Sequence, residues 1–174
     1  MKLYHRKLDT TSGNILFPLN TLQGEYPDAY QCALEKYRGR EHIINQLIPG
    51  TDLLWNDALH SSPIHPHKAL TARRNAGLPK ITRTYYVIET ENLDQSKLLI
   101  YTYPFPPKRN LNATDFIPFS EEYFKDKQQV PLETQEYYKK CHNEGRNPLL
   151  WHLIPHVLYF GNIDVSKVET ITLG

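Results

Sequence analysis

Apolar and polar positions follow two different periods along the chain. Leu3-Tyr4-His5-Arg6 is short and mixed, the pattern of an edge strand, and a Ser12-Gly13-Asn14 turn separates it from the apolar run Ile15-Leu16-Phe17. From Pro27 the period lengthens: Tyr30, Ala33, Leu34 and Tyr37 fall at i, i+3, i+4 and i+7. This spacing predicts a helix with Pro at its first position, an end near Arg38 and Gly39 just beyond. Ile43, Ile44 and Leu47 repeat the spacing over 40–47, and Pro49-Gly50 stops it, which predicts a second, shorter helix. After the apolar run Leu53-Leu54-Trp55, the stretch from His60 to His67 carries Pro63 and Pro66; these remove donors and restrict the residues before them, so an ordered loop is expected. TRTYYVI (82–88) and LLIYTY (98–103) are β-branched and aromatic, and read as strands joined by a polar ENLDQS connection of hairpin or loop length. A Pro-rich bend over 103–110 follows. Ser120-Glu121-Glu122 opens a short helix to about 127. The segment 132–144 is the other strong helix, with Thr134, Tyr137, Tyr138 and Cys141 on one face and Gly145 at its end. Strand-like segments at 157–160 and 168–173 close the chain. The sum is an α+β fold, helices packed on mainly antiparallel sheets, with 1–174 as one domain.

A length of 174 residues agrees with one domain, and 13 Pro against 8 Gly indicates rigid turns over disorder. Lys plus Arg at 20 nearly cancels Asp plus Glu at 19, so no global field draws the protein to DNA or an anionic membrane, and electrostatic recognition must be local. No apolar run approaches the roughly 18 residues that span a bilayer, and MKLYHRKLDTT is charged where a signal peptide is apolar; a cytoplasmic protein without a membrane partner is expected. Cys32 and Cys141 lack CxxC spacing and read as two separate buried or half-buried thiols. Tyrosine stands out at 12 residues against 6 Phe, which suits a cleft for flat or sugar-bearing ligands and equally a half-wet core.

The most informative feature is an absence of acid. Between Asp57 and Glu89 there is no carboxylate, while Lys68, Arg73, Arg74, Lys80, Arg83 and three histidines fall inside. Such unopposed donors fit a phosphate-bearing ligand, paired arginines above all, and fit a solvated basic face as well. His60, His65 and His67 form H-x4-H-x-H, a spacing open to metal, but no nearby carboxylate completes a hydrolytic set, so turn or phosphate contacts are expected in place of a metal cofactor. His5-Arg6-Lys7 places three donors at a strand end, where they suit a nucleotide's ribose and phosphates or protect an exposed edge. Trp55-Asn56-Asp57 fits the rim of a pocket or a buried Trp at a helix start. His152 and His156 read as core histidines from their apolar setting. No GxSxG, Walker or GxGxxG motif occurs.

In order, Leu3-Tyr4-His5-Arg6, the Leu59-His60-Ser61-Ser62-Pro63-Ile64 loop, Thr84-Tyr85-Tyr86-Val87-Ile88, and Ile154-Pro155-His156-Val157-Leu158-Tyr159 with Ile163 and Val168-Glu169-Thr170-Ile171 resemble the elements of DarT-like ADP-ribosyltransferases. The resemblance implies an ADP-ribosyltransferase-like fold, NAD as substrate or ligand, and a toxin or phage-defence setting. In that family an N-terminal histidine approaches the nicotinamide side of NAD, a loop arginine precedes a Ser-Pro element, and a glutamate at the last strand pair stabilises the oxocarbenium ion. His5 matches the first position and Ser62-Pro63 the second, whereas the arginine position falls on Ser61 and the glutamate position on His156. On this reading His5, Arg6, His60, Arg73 and Arg74 contact phosphate or ribose, Ser62 and Tyr85 complete the nucleotide site, and His156 with His5 holds the reacting positions. The reaction implied is cleavage of the nicotinamide C–N bond, with ADP-ribose passed to water, a nucleobase of nucleic acid or a protein. An imidazole lends no negative charge to a cationic transition state, so an altered or silent transferase is expected. Two other classes stay open: a non-catalytic module that captures a nucleotide or a protein, and a metal-dependent hydrolase on the histidine loop.

Overall fold

The computed structural model describes residues 1–8, 13–105 and 110–174; Ser12 of the expected turn and 106–109 of the Pro-rich bend lie outside them. In chain order the elements are β1 (Lys2–Arg6), β2 (Ile15–Leu16), α1 (Leu19–Glu25), α2 (Pro27–Leu34), β3 (Leu59–Ser61), α3 (Pro66–Asn75) and β4 (Arg83–Glu89). They continue with β5 (Leu98–Tyr101), β6 (Phe116–Pro118), α4 (Leu132–Asn143), β7 (His156–Tyr159), β8 (Ile163–Asp164) and β9 (Thr170–Leu173). The strands form antiparallel sheets in the orders β1-β4-β9, β3-β7-β5-β6 and β2-β8.

The two larger sheets bury one core between them. Leu3, Tyr86 and Ile88 from the first meet Leu59, Leu98, Ile100, Val157 and Tyr159 from the second. Strand alternation sends Tyr4, Tyr85 and Val87 to the opposite face, where Tyr4 meets His65 and Tyr85 meets Trp151. Residues 85–88 are therefore all buried, and β4 reads as an unbroken apolar and aromatic run. The ENLDQS connection is not a hairpin: β4 and β5 belong to different sheets, and two 3-10 turns flank the buried Leu93 that pins the crossing.

Pro27 opens α2 at a first-turn position, and the helix runs on as a 3-10 turn (Glu35–Tyr37) before Gly39 takes φ +77°. Its Tyr30 and Tyr37 pack on Leu19. The expected helix over 40–47 shrinks to a 3-10 turn, Glu41–Ile43. Ile43 and Ile44 pack, partly buried, on the Leu19, Tyr30 and Tyr37 cluster, but Leu47 is exposed and the chain turns back so that Ile48 N–H donates to the Leu53 carbonyl and Trp55 N–H to that of Gln46, which cuts the helix short after one turn. The helix expected from Ser120 is likewise a 3-10 turn, Glu121–Phe124. The histidine stretch is not one loop: His60 and Ser61 end β3, and Pro66 starts α3, with His65 Nδ1 accepting from the His67 N–H at 3.2 Å. Both cysteines are free thiols, and Cys141 is buried as expected, but Cys32, expected to be buried or half-buried, is exposed on α2. Among the described residues no helix is long and apolar enough to cross a membrane.

The face expected on α4 does more than pack. Thr134 Oγ1 donates to the His152 carbonyl at 2.9 Å, Tyr137 Oη accepts from Leu149 N–H at 3.1 Å, and Tyr138 Oη donates to the Leu150 carbonyl. Three hydroxyls from two adjacent turns of one helix thus hold 149–152 in place. Tyr138→Phe leaves the Leu150 carbonyl without this donor, and urea unfolding should show a loss of about 1 to 3 kcal/mol with an unchanged m-value.

Candidate functional site

The two larger sheets meet at one isolated bridge. Tyr4 N–H donates to the Ser62 carbonyl at 2.8 Å and Ser62 N–H returns a bond at 3.0 Å. One residue along, His5 Nδ1 donates to the His60 carbonyl at 2.9 Å, and His60 Nε2 donates to the Trp55 carbonyl at 2.9 Å. A carbonyl only accepts, so each bond fixes a tautomer: neutral His5 keeps Nε2 as acceptor, and neutral His60 keeps Nδ1. In the β3–β7 register Leu158 lies opposite His60, which makes His156 its diagonal neighbour on the same face, with ring centroids 6.1 Å apart. His156 Nδ1 donates to the Ile154 carbonyl at 2.7 Å. Burial pushes the His156 imidazole down to about 4, with the Ile154 carbonyl opposing and His152 adding to the fall. His152 is itself lowered by burial, and its Nδ1 meets the Tyr103 hydroxyl at 2.8 Å. Tyr103 (φ 52°) and Leu153 (φ 62°), left-handed without being glycine, flank that contact, a backbone cost that tertiary packing must sustain.

Around this seam lies a cavity of about 790 Å³. Its wall carries four arginines (Arg6, Arg40, Arg73, Arg83) and five histidines (His5, His42, His60, His152, His156), and no Asp or Glu among the described residues. Aromatic rings line the same space: Trp55 stands edge-on to Tyr101 at 5.2 Å, and Tyr101 lies 5.0 Å from Tyr103. The acid at the near end of the sequence window is already engaged, because Asp57 accepts from Asn20 Nδ2 at 2.6 Å and from Leu54 N–H at 2.7 Å. Asn56, expected beside it at a pocket rim, is buried and accepts from Tyr37 Oη at 2.5 Å.

Six of the eight residues assigned to the nucleotide and reacting positions reach this wall, His5, Arg6, His60, Arg73, Tyr85 and His156, and Trp55, Asn56, Arg83 and His152 from the sequence analysis line it too. Two of the eight do not. Ser62 is buried, and its Oγ accepts from Ile64 N–H at 3.1 Å; Arg74 is exposed and bonds Thr71 Oγ1 at 3.3 Å. Neighbouring residues on a helix point about 100° apart, so α3 turns Arg73 inward and Arg74 outward. Lys68 donates to the Gln128 carbonyl at 2.6 Å, away from the cavity. Of His60, His65 and His67 only His60 lines it, and among the described residues no three His, Cys, Asp or Glu side chains gather as a metal set. Asn147, Trp151 and His152 join the wall from a segment without a periodic signature, and Arg40 and Tyr103 from the ends of the predicted 40–47 helix and 98–103 strand.

Arg73 is 3% exposed; its Nη1 donates to the Pro79 carbonyl and its Nη2 to Asn147 Oδ1 at 3.0 Å, while Nε has no partner. Burial and the nearby Arg83 charge both depress it. Tyr85 is fully buried with an unpartnered hydroxyl. No protein-family model, curated protein or solved structure matches the chain, so the chemistry of this wall rests on its own residues.

The His156 site generates a pH dependence. An unfolded His titrates near 6.5 and the folded ring near 4, so between those values the unfolded chain holds a proton that the folded site refuses. Stability is full above pH 6.5 and falls as pH drops toward 4, by about 3 kcal/mol, and His152 acts in the same direction. His156→Asn keeps a donor for the Ile154 carbonyl and removes the titration, and thermal melts from pH 7 to 4 should then show a visibly flatter decline.

Proposed function

We propose that this protein is an ADP-ribosyltransferase-like nucleotide binder whose cavity takes NAD or an ADP-ribose-type nucleotide. The observation that carries the reading is the wall of four arginines and five histidines without a carboxylate among the described residues. A diphosphate is a dianion that needs such donors, and an acidic wall would repel it. The rings of Trp55, Tyr101 and Tyr103 offer stacking surfaces for flat bases, and a volume of about 790 Å³ falls within the roughly 300 to 1,000 Å³ usual for small-molecule sites. The antiparallel α+β architecture, with His5 on the first strand bonded to the backbone of His60, is compatible with the coarse fold class that the resemblance implies.

Binding is favoured over turnover by the same wall. Loss of nicotinamide leaves positive charge on the ribose, which negative charge stabilises; here the position facing it in the family holds His156, an imidazole kept neutral by burial. Among the described residues the wall supplies no acid to replace it. Such a protein holds the nucleotide intact, and the acceptor question arises only if the glycosidic bond breaks.

Calorimetry against NAD and ADP-ribose, followed by chromatography of the recovered ligand, tests this. The expected result is saturable 1:1 binding with the nucleotide recovered unchanged. Nicotinamide released by the wild type and not by His156→Ala replaces the binder with an active transferase or glycohydrolase. Absence of binding to either ligand removes both.

A further inference from the structure

We infer that Arg73, Arg83 and Tyr85 form an oxyanion subsite within the cavity that takes a terminal phosphate monoester. Tyr85 and Arg83 are two residues apart on β4 and so share a face; Arg6 lies directly opposite Tyr85 in the β1–β4 register and joins them. Arg73 comes to the same place from α3, close enough for the Arg83 charge to depress it. All four side chains line the cavity.

Two observations point to a missing anion. Arg73 Nε and Tyr85 Oη are the buried side-chain polar atoms without a partner among the described residues. Buried donors are almost always satisfied, so two orphans on one wall call for an acceptor that the protein does not supply. Second, neither Arg73 nor Arg83 has a carboxylate within ion-pair distance among the described residues, although they repel each other. The bonds Arg73 does make, to Pro79 and Asn147, fix its plane and leave its charge uncompensated.

Charge and burial select the ligand. Two guanidinium groups and a phenol match a group with a charge near −2 and three acceptor oxygens better than a single carboxylate. Arg73 is 3% exposed and Tyr85 0%, so their donors are met by the end of a ligand; a diphosphate substituted on both sides needs an exit on each. Successive residues of β1 point to opposite faces, so Arg6 turns to this subsite and His5 to the histidine seam. The inference deepens the nucleotide reading of the same cavity, and rests on it only for what carries the phosphate.

The test titrates the whole chain calorimetrically, at low ionic strength, with inorganic phosphate, adenosine and its 5′-monophosphate. Expected are 1:1 phosphate binding and a monophosphate at least tenfold tighter than adenosine. Arg83→Met should reduce that preference to less than twofold, and Tyr85→Phe by several-fold. Thermal unfolding of ligand-free Tyr85→Phe should be unchanged or raised, since the hydroxyl it deletes has no partner, whereas a purely structural hydroxyl gives a lowered midpoint and unaltered phosphate preference. Competition by NAD with and without a 2′-phosphate assigns the source: a tenfold advantage of the phosphorylated form places the monoester on the dinucleotide, and equal competition places it on a second molecule. No saturable phosphate binding, or a monophosphate preference that survives Arg83→Met, overturns the subsite. NAD binding without phosphate binding leaves the nucleotide reading standing alone, and phosphate binding without NAD binding does the reverse.

Discussion

The backbone bridge between Tyr4 and Ser62 is the constraint on which the site depends. It consists of two hydrogen bonds, at 2.8 and 3.0 Å, between strands that belong to different sheets. Because it engages β1 at Tyr4, the next two residues run past the end of β3 with β4 on one side and the cavity on the other. His5 then reaches the His60 carbonyl, which orients one ring, and His60 in turn reaches Trp55. A shift of one residue in that bridge would exchange the faces of His5 and Arg6 and dismantle both ends of the cavity.

Around that seam the electrostatics run against folding and toward a ligand. A buried guanidinium is normally balanced by a carboxylate. Arg73 instead has a backbone carbonyl and an amide oxygen, with Arg83 adding repulsion. His156 and His152 avoid a similar cost by staying neutral under burial. The left-handed backbone at Tyr103 and Leu153 adds strain to the same wall. Local rules broken together in one cavity, while the core between the sheets obeys them, are what motivates the proposal of a binding site there.

Much of the scaffold was legible in the sequence because its signals were local. Pro27 with Tyr30, Ala33, Leu34 and Tyr37 announced α2, and Thr134, Tyr138 and Cys141 announced the buried face of α4. The carboxylate-free window pointed at Arg73 and Arg83, and the family resemblance at His5, His60 and His156. What escaped had tertiary causes. α3 was hidden because His65-Pro66-His67 reads as a loop until Pro66 is recognised at a first helical position, where its missing N–H costs nothing. Without α3 no argument could separate Arg73 from Arg74. The spacing of Ile43, Ile44 and Leu47 promised a helix, but only Ile43 and Ile44 find a surface, and the backbone bonds of Gln46 and Ile48 to Trp55 and Leu53 turn the chain away before Leu47 can join them. His152 and Trp151 lie in a segment shaped by the α4 hydroxyls, which no periodicity within the segment encodes.

A site speeds a reaction only where its interactions strengthen on the way to the transition state. For an NAD-type ligand the ground state is a polyanion with flat bases, and the wall of arginines, histidines and rings is complementary to it. The transition state for glycosidic cleavage moves positive charge onto the ribose, where arginines oppose the change and a neutral imidazole does nothing to help. On the proposed reading, the same donors that would tighten a bound nucleotide would raise the barrier to breaking it. Removing one negative side chain from a transferase would slow it; on that reading, arginines placed around the reaction centre would make affinity itself the reason the ligand survives.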